Sequence, residues 1–115
     1  MEPVLIESPT TKEVIREKAH EIFGDFAKAV VDIERGVMMV GGEMHVDCEQ
    51  LLLERGSDHK NLWGINLYPD KDSSAWIEFN SMINLRPGQG NRSRGVGDPA
   101  IRERITKVVN SLVPS

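Results

Sequence analysis

The sequence predicts an α+β fold: a mostly antiparallel sheet of two hairpins, with N- and C-terminal amphipathic helices packed on one face. Three observations lead there. Two segments repeat apolar residues at helical spacing, two others are rich in β-branched residues around turn-forming residues, and the elements follow the order helix, hairpin, short helix, hairpin, helix. Two amphipathic helices need an apolar surface to cover, and one face of an antiparallel sheet supplies it.

After a short apolar run, Val4 to Ile6, suited to a leading strand, Thr10 and Glu13 form a T-x-x-E capping box that starts a helix. Its inward stripe is Ile15, Ala19, Ile22 and Phe23, and Gly24 stops it. KAVVDIE and VMMVGG then read as two strands around a turn at Arg35 and Gly36. The second strand is expected to continue through Glu43-Met44-His45-Val46. Asp47 then caps a short helix, Cys48 to Glu54, with Gln50 as the reciprocal member of its box. A second hairpin follows: LWGINLY, the turn-rich PDKDSS, and a long strand AWIEFNSMINLR. The final helix has Asp98 as cap and Pro99 at its first position, with a stripe of Ile101, Ile105, Val108, Val109 and Leu112.

At 115 residues, 39% hydrophobic and 28% charged, the chain is expected to form one domain over residues 1–115. A single cysteine, Cys48, leaves no internal disulfide, and no cysteine/histidine spacing suggests zinc; neither metal nor cofactor is expected. No membrane span or secretory leader is visible, so a cytoplasmic address is the expectation. The net charge of −4 hides an asymmetry: residues 1–80 hold 16 acids and 8 bases, residues 81–115 hold 2 acids and 6 bases. This local basic character suits a small anion or an acidic partner better than a nucleic-acid backbone, so no nucleic-acid partner is expected.

Three stretches carry the candidate chemistry. Alternation along the long strand puts Asn80, Asn84 and Arg86 on the face opposite the core residues, and Asn66 in the neighbouring strand adds a third asparagine. In EMHVDCE, Glu43 and His45 are the weak candidates for proton transfer, His45 because its ordinary pKa lies near neutrality. The segment RPGQGNRSRGVGDP holds Arg86, Asn91, Arg92 and Arg94 among four glycines, ahead of a helix N-terminus: parts from which an anion site is built. It matches neither common nucleotide-binding glycine fingerprint.

These stretches resemble a prokaryotic family of small proteins filed as a domain of unknown function. The resemblance runs from about Ala27 onward through AVVDIERGVMMVGGEMHVDCEQLLLERGS, LWGINLYP, SMINLRPGQGNRSRG and DPAIRERI. It implies a free-standing cytoplasmic protein and carries over no activity, substrate or catalytic residue.

The leading expectation is therefore a protein that binds a small anionic ligand through Asn66, Asn80, Asn84, Arg86, Asn91, Arg92 and Arg94, with the question of catalysis left open. The alternative is a homodimer or other interaction module without catalytic activity, using an apolar patch of Trp63, Tyr68, Trp76 and Met82. The two halves of the anion site must lie together for the first expectation to hold.

Overall fold

The chain begins with a three-residue edge strand, β1 (Val4–Ile6), followed by helix α1 (Lys12–Ile22). This computed structural model describes residues 2–114. Strands β2 (Ala27–Asp32) and β3 (Val37–Gly42) form the first hairpin. Its turn is fixed by Asp32, whose Oδ1 accepts from the amides of Glu34 and Arg35, both at 2.9 Å, and by Gly36 at φ 69°. Helix α2 (His45–Glu54) leads to β4 (Leu62–Leu67), a very short β5 (Ile77–Glu78) and helix α3 (Pro99–Leu112). The sheet is antiparallel throughout, in the order β1-β3-β2-β4-β5. No helix among the described residues is long and apolar enough to cross a membrane.

Period-two alternation decides which side each helix covers. Ala27, Ala29 and Val31 of β2, with Trp63, Ile65 and Leu67 of β4, face Ile15 and Ala19 of α1 and Ile105, Val109 and Leu112 of α3. The inner residues of both predicted helical stripes thus meet the sheet on a single face, but Phe23, expected in the α1 stripe, caps the helix end instead, 37% exposed and stacked on Phe26 with centroids 4.6 Å apart. The other face carries Val30, Val37, Met39 and Leu62, and α2 covers it with Cys48 and Leu52. Gly42 permits this approach: a Cβ there would stand 2.9 Å from Cys48 Sγ.

Four local expectations are corrected. The α1 cap is Thr11 without a side-chain bond, and Glu13 pairs with Arg16 at 2.7 Å rather than closing a box with Thr10. Helix α2 begins at His45, three residues early, because the Asp47 carboxylate takes the amide of Met44 at 3.2 Å from inside the first turn. Trp63 and Trp76 lie in the core and form no surface patch, whereas Met82 is exposed. The long strand is the largest departure, since only Ile77–Glu78 pairs with β4. Ser81 Oγ accepts from the amide of Ile83 at 3.2 Å, Met82–Asn84 turns as a 3-10 helix, and Asn84 is buried. Short polar side chains bonding to nearby backbone compete with a strand ladder, and here they win.

Candidate functional site

Strand register places three polar residues in one row across the sheet: Lys28 of β2 lies opposite Asn66 of β4, which lies opposite Glu78 of β5. Helix α2 leaves this end of its sheet face uncovered. The result is a cleft of about 460 Å³, within the ordinary range of small-molecule sites, floored by that row. Its walls are Met44, His45 and Val46 from the start of α2, the Asn80–Ile83 strap, the aromatic rings of Phe26 and Tyr68, and Arg94.

The floor is partly prepaired. Asn66 Nδ2 donates to Glu78 Oε1 at 2.7 Å, and Tyr68 Oη donates to the same oxygen at 3.3 Å. Burial first, then the Glu78 charge, raises the Tyr68 pKa and keeps the phenol protonated. Tyr68 stacks on Phe26 with centroids 5.3 Å apart. Asn66 is only 6% exposed, and its Oδ1 has no hydrogen-bond partner among the described residues. It lies beside His45, whose charged form it favours.

His45 Nε2 donates to the carbonyl of Ile65 at 2.9 Å; a carbonyl only accepts, so this nitrogen carries the proton and Nδ1 is the basic one. Burial depresses the imidazole pKa, and the nearby charges of Lys28 and Arg94 push the same way. These effects outweigh the bond to Ile65 and favour the neutral ring. Glu43 is exposed and lines a separate groove with Asp47 and Gln50, so the two proton-transfer candidates are not brought together. No group of three metal-capable side chains forms among the described residues.

The predicted ligand residues divide sharply. Asn66, Asn80 and Arg94 line the cleft. Asn84, Arg86 and Asn91 are buried, and their polar groups are committed to the chain itself. Asn84 pairs with Gly64 as a strand would: Oδ1 accepts from its amide at 2.8 Å and Nδ2 donates to its carbonyl at 2.9 Å and to Arg94 O at 3.0 Å. The Arg86 guanidinium donates to the carbonyls of Ile83, His59 and Leu62, sits 4.7 Å from the Trp63 ring centre, and lies 3.8 Å from Glu49. Asn91 Nδ2 reaches the carbonyls of Asn84, Ser93 and Gly95 at 2.6, 3.1 and 2.8 Å, and Oδ1 accepts from Gly97 at 2.9 Å. These three residues build the loop instead of facing a ligand. Arg92 is exposed and lies outside the cleft walls.

The loop thus presents one arginine to the cleft. Arg86 and Asn91 bond each other's backbones in both directions, at 2.8 and 3.1 Å, closing a tight turn in which Gly90 takes φ 82°. Beyond it, Arg94 O accepts from both Ser81 N and Asn84 Nδ2, which anchors the arginine backbone while its guanidinium makes no ion pair or hydrogen bond among the described residues.

Residues 4–112 match the model of a family described as protein of unknown function, DUF5674. The chain belongs to that family. No curated protein and no solved structure matches it. The family carries no assigned chemistry, so the DUF5674 cleft must be interpreted from its own residues. Sequence reasoning missed Phe26, Lys28, Tyr68 and Glu78 as its lining. A usable signal existed for Lys28 and Asn66: each interrupts an otherwise apolar strand at an inward position.

Proposed function

We propose that this protein binds a small anionic molecule in the cleft between the start of α2, the Asn80–Ile83 strap and Arg94. The observation that carries this reading is the convergence of an unpartnered, buried Asn66 Oδ1 with two cationic side chains that have no carboxylate partner, Lys28 and Arg94. A buried polar atom without a partner costs stability, and a bound molecule or water relieves that cost. Lys28 and Arg94 neutralise the anion, Asn80 and Asn66 orient the rest, and the apolar walls of Phe26, Met44, Val46 and Met82 take its carbon body. The hydroxyls that line the cleft are engaged with the chain itself, Tyr68 Oη on Glu78 at 3.3 Å and Ser81 Oγ with the amide of Ile83 at 3.2 Å, so binding is the activity the geometry supports best. Thermal unfolding against a panel of phosphates, small carboxylates and amino acids tests it. A ligand at about 100 times its Kd stabilises the fold by roughly 2.7 kcal/mol. Arg94→Gln and Lys28→Gln should abolish the shift and Arg92→Gln should leave it intact; a folded protein that no member of the panel stabilises refutes the reading.

Three apolar side chains at the cleft mouth, Met44, Val46 and Met82, are 59%, 46% and 62% exposed. They support a second reading, in which another copy of the chain covers this face. Light scattering separates the two, because self-association predicts a dimer that Met82→Glu dissolves.

A further inference from the structure

The cleft holds charges of both signs, and none is neutralised by another. Lys28 and Arg94 are cationic, Glu78 is anionic, and no ion pair within 4.0 Å involves any of them among the described residues. Glu78 Oε1 is engaged by Asn66 and Tyr68, which leaves Oε2 of this exposed residue as a free acceptor, and Asn66 Oδ1, enclosed on the His45 side, is a second oxygen without a partner among the described residues. Both acceptors lie at the β4–β5 end of the row, where Asn66 and Glu78 are direct cross-strand partners. A simple anion satisfies Lys28 and Arg94 yet supplies no donor to these oxygens. His45 does not supply one either, since its proton is committed to Ile65 O.

We infer that the ligand is a small zwitterion with an apolar body, an amino acid or dipeptide in size. Its carboxylate meets Arg94 and Lys28, its ammonium meets Glu78 Oε2, and its side chains lie against Phe26, Met44, Val46 and Met82. This rests on the cleft being a ligand site, as proposed above, and adds which chemistry it selects. A zwitterion uses charges of both signs, since each is complementary to one end of the ligand.

The test is titration of the isotopically labelled protein with phenylalanine and with leucyl-leucine, each beside its N-acetyl form and its C-terminal amide, followed through the backbone amides of Val46, Asn80 and Arg94. At least one zwitterion should bind, and each blocked form should bind about tenfold more weakly or worse, since each loses a charge-assisted contact. Glu78→Gln should erase the preference over the N-acetyl form, and Arg94→Gln the preference over the amide. Both variants keep the contacts that hold the fold: glutamine retains an oxygen for Asn66 and Tyr68, and Arg94 uses only its carbonyl structurally. N-acetyl forms binding as well as the zwitterions, or acetate or phosphate moving these amides where the zwitterions do not, overturns the inference and leaves the anion site standing. Silence from every compound overturns both.

Discussion

Asn84→Asp probes the structural role of the loop most directly, because it exchanges one atom. In the native fold Nδ2 feeds two carbonyls, those of Gly64 and Arg94, at 2.9 and 3.0 Å, from a fully buried position. An ionised carboxylate there puts an acceptor against both. The Gly64 carbonyl is left without this donor at a cost of about 1–3 kcal/mol, while Arg94 O keeps the amide of Ser81 and loses one bond worth about 0.5–1.5 kcal/mol, so roughly 1.5–4.5 kcal/mol is lost before the buried charge itself is counted. Protonation returns one donor, which the Gly64 carbonyl takes, and reduces the penalty to the lost second bond on Arg94 O, about 0.5–1.5 kcal/mol. The folded state therefore holds the new carboxyl well above its ordinary pKa of about 3.9. For a group raised in the fold, the sign follows: the penalty is smallest below the unfolded pKa, and stability is lost as pH rises through the folded one. Over three pH units the change is at most about 4 kcal/mol. Urea denaturation of the wild type and the variant at pH 4.5 and 7.5 gives the difference at each pH. A penalty below about 1 kcal/mol at pH 7.5, or one equal at both pH values, refutes the assigned geometry. Cooperative unfolding regained only at pH 4.5 supports it.

Other perturbations follow from the same contacts. Gly64→Ala places a Cβ 2.5 Å from Ser81 Cβ and 2.6 Å from its Oγ; it should cost about 1–3 kcal/mol by calorimetry and displace Arg94 from the cleft, and an unchanged melting temperature would count against the close approach. Arg86→Lys keeps the charge but loses the fork that spans three carbonyls, so about 2–3 kcal/mol of stability should go and trypsin should cut faster at Arg92 and Arg94. Because burial lowers the His45 pKa, wild-type stability should fall as pH drops below the ordinary 6.5, where the unfolded chain takes up a proton that the fold refuses; His45→Gln should flatten that limb of a urea-midpoint profile. Burial pushes the Cys48 thiol up to about 11, so a disulfide reagent at pH 8 should label it only as fast as the fold opens, with a rapid burst of labelling contradicting its burial.

The large periodic elements were legible in the sequence, and the residues that do something other than their period were not. The α3 stripe and its Asp98 cap, which accepts from Ala100 N at 2.9 Å, follow directly from spacing and cap chemistry. So do the first hairpin and the β4 arm of the second. AWIEFNSMINLR fails because its alternation is genuine but its side chains are not passive: Ser81 and Asn84 bond backbone within reach, so the chain leaves the sheet after Glu78. That departure inverts the expected exposure, burying Asn84 and leaving Leu85 43% exposed. In the cleft, Asn66, Asn80, His45 and Arg94 were all named from sequence. Lys28 and Glu78 were not, because only strand register brings them into line with Asn66, and register is set by pairings far apart in the chain.

The same inversion explains why an acidic chain concentrates arginine and glycine in one loop. Read as composition, that segment looks like a flexible anion trap with three interchangeable cations. In the fold the three differ in kind. Arg86 is consumed by carbonyls and by Glu49, and burial lowers its pKa while that carboxylate opposes the shift. Arg92 stands in solvent. Arg94 alone meets the cleft, and its backbone is held by Ser81 and Asn84 before any ligand arrives. A loop fixed in advance loses less conformational entropy on binding than a mobile one, so most of the contact energy of a single arginine remains available for affinity. In the proposed site Asn91, Arg86 and Asn84 are thus the positioning residues, and Arg94 is the group that they position.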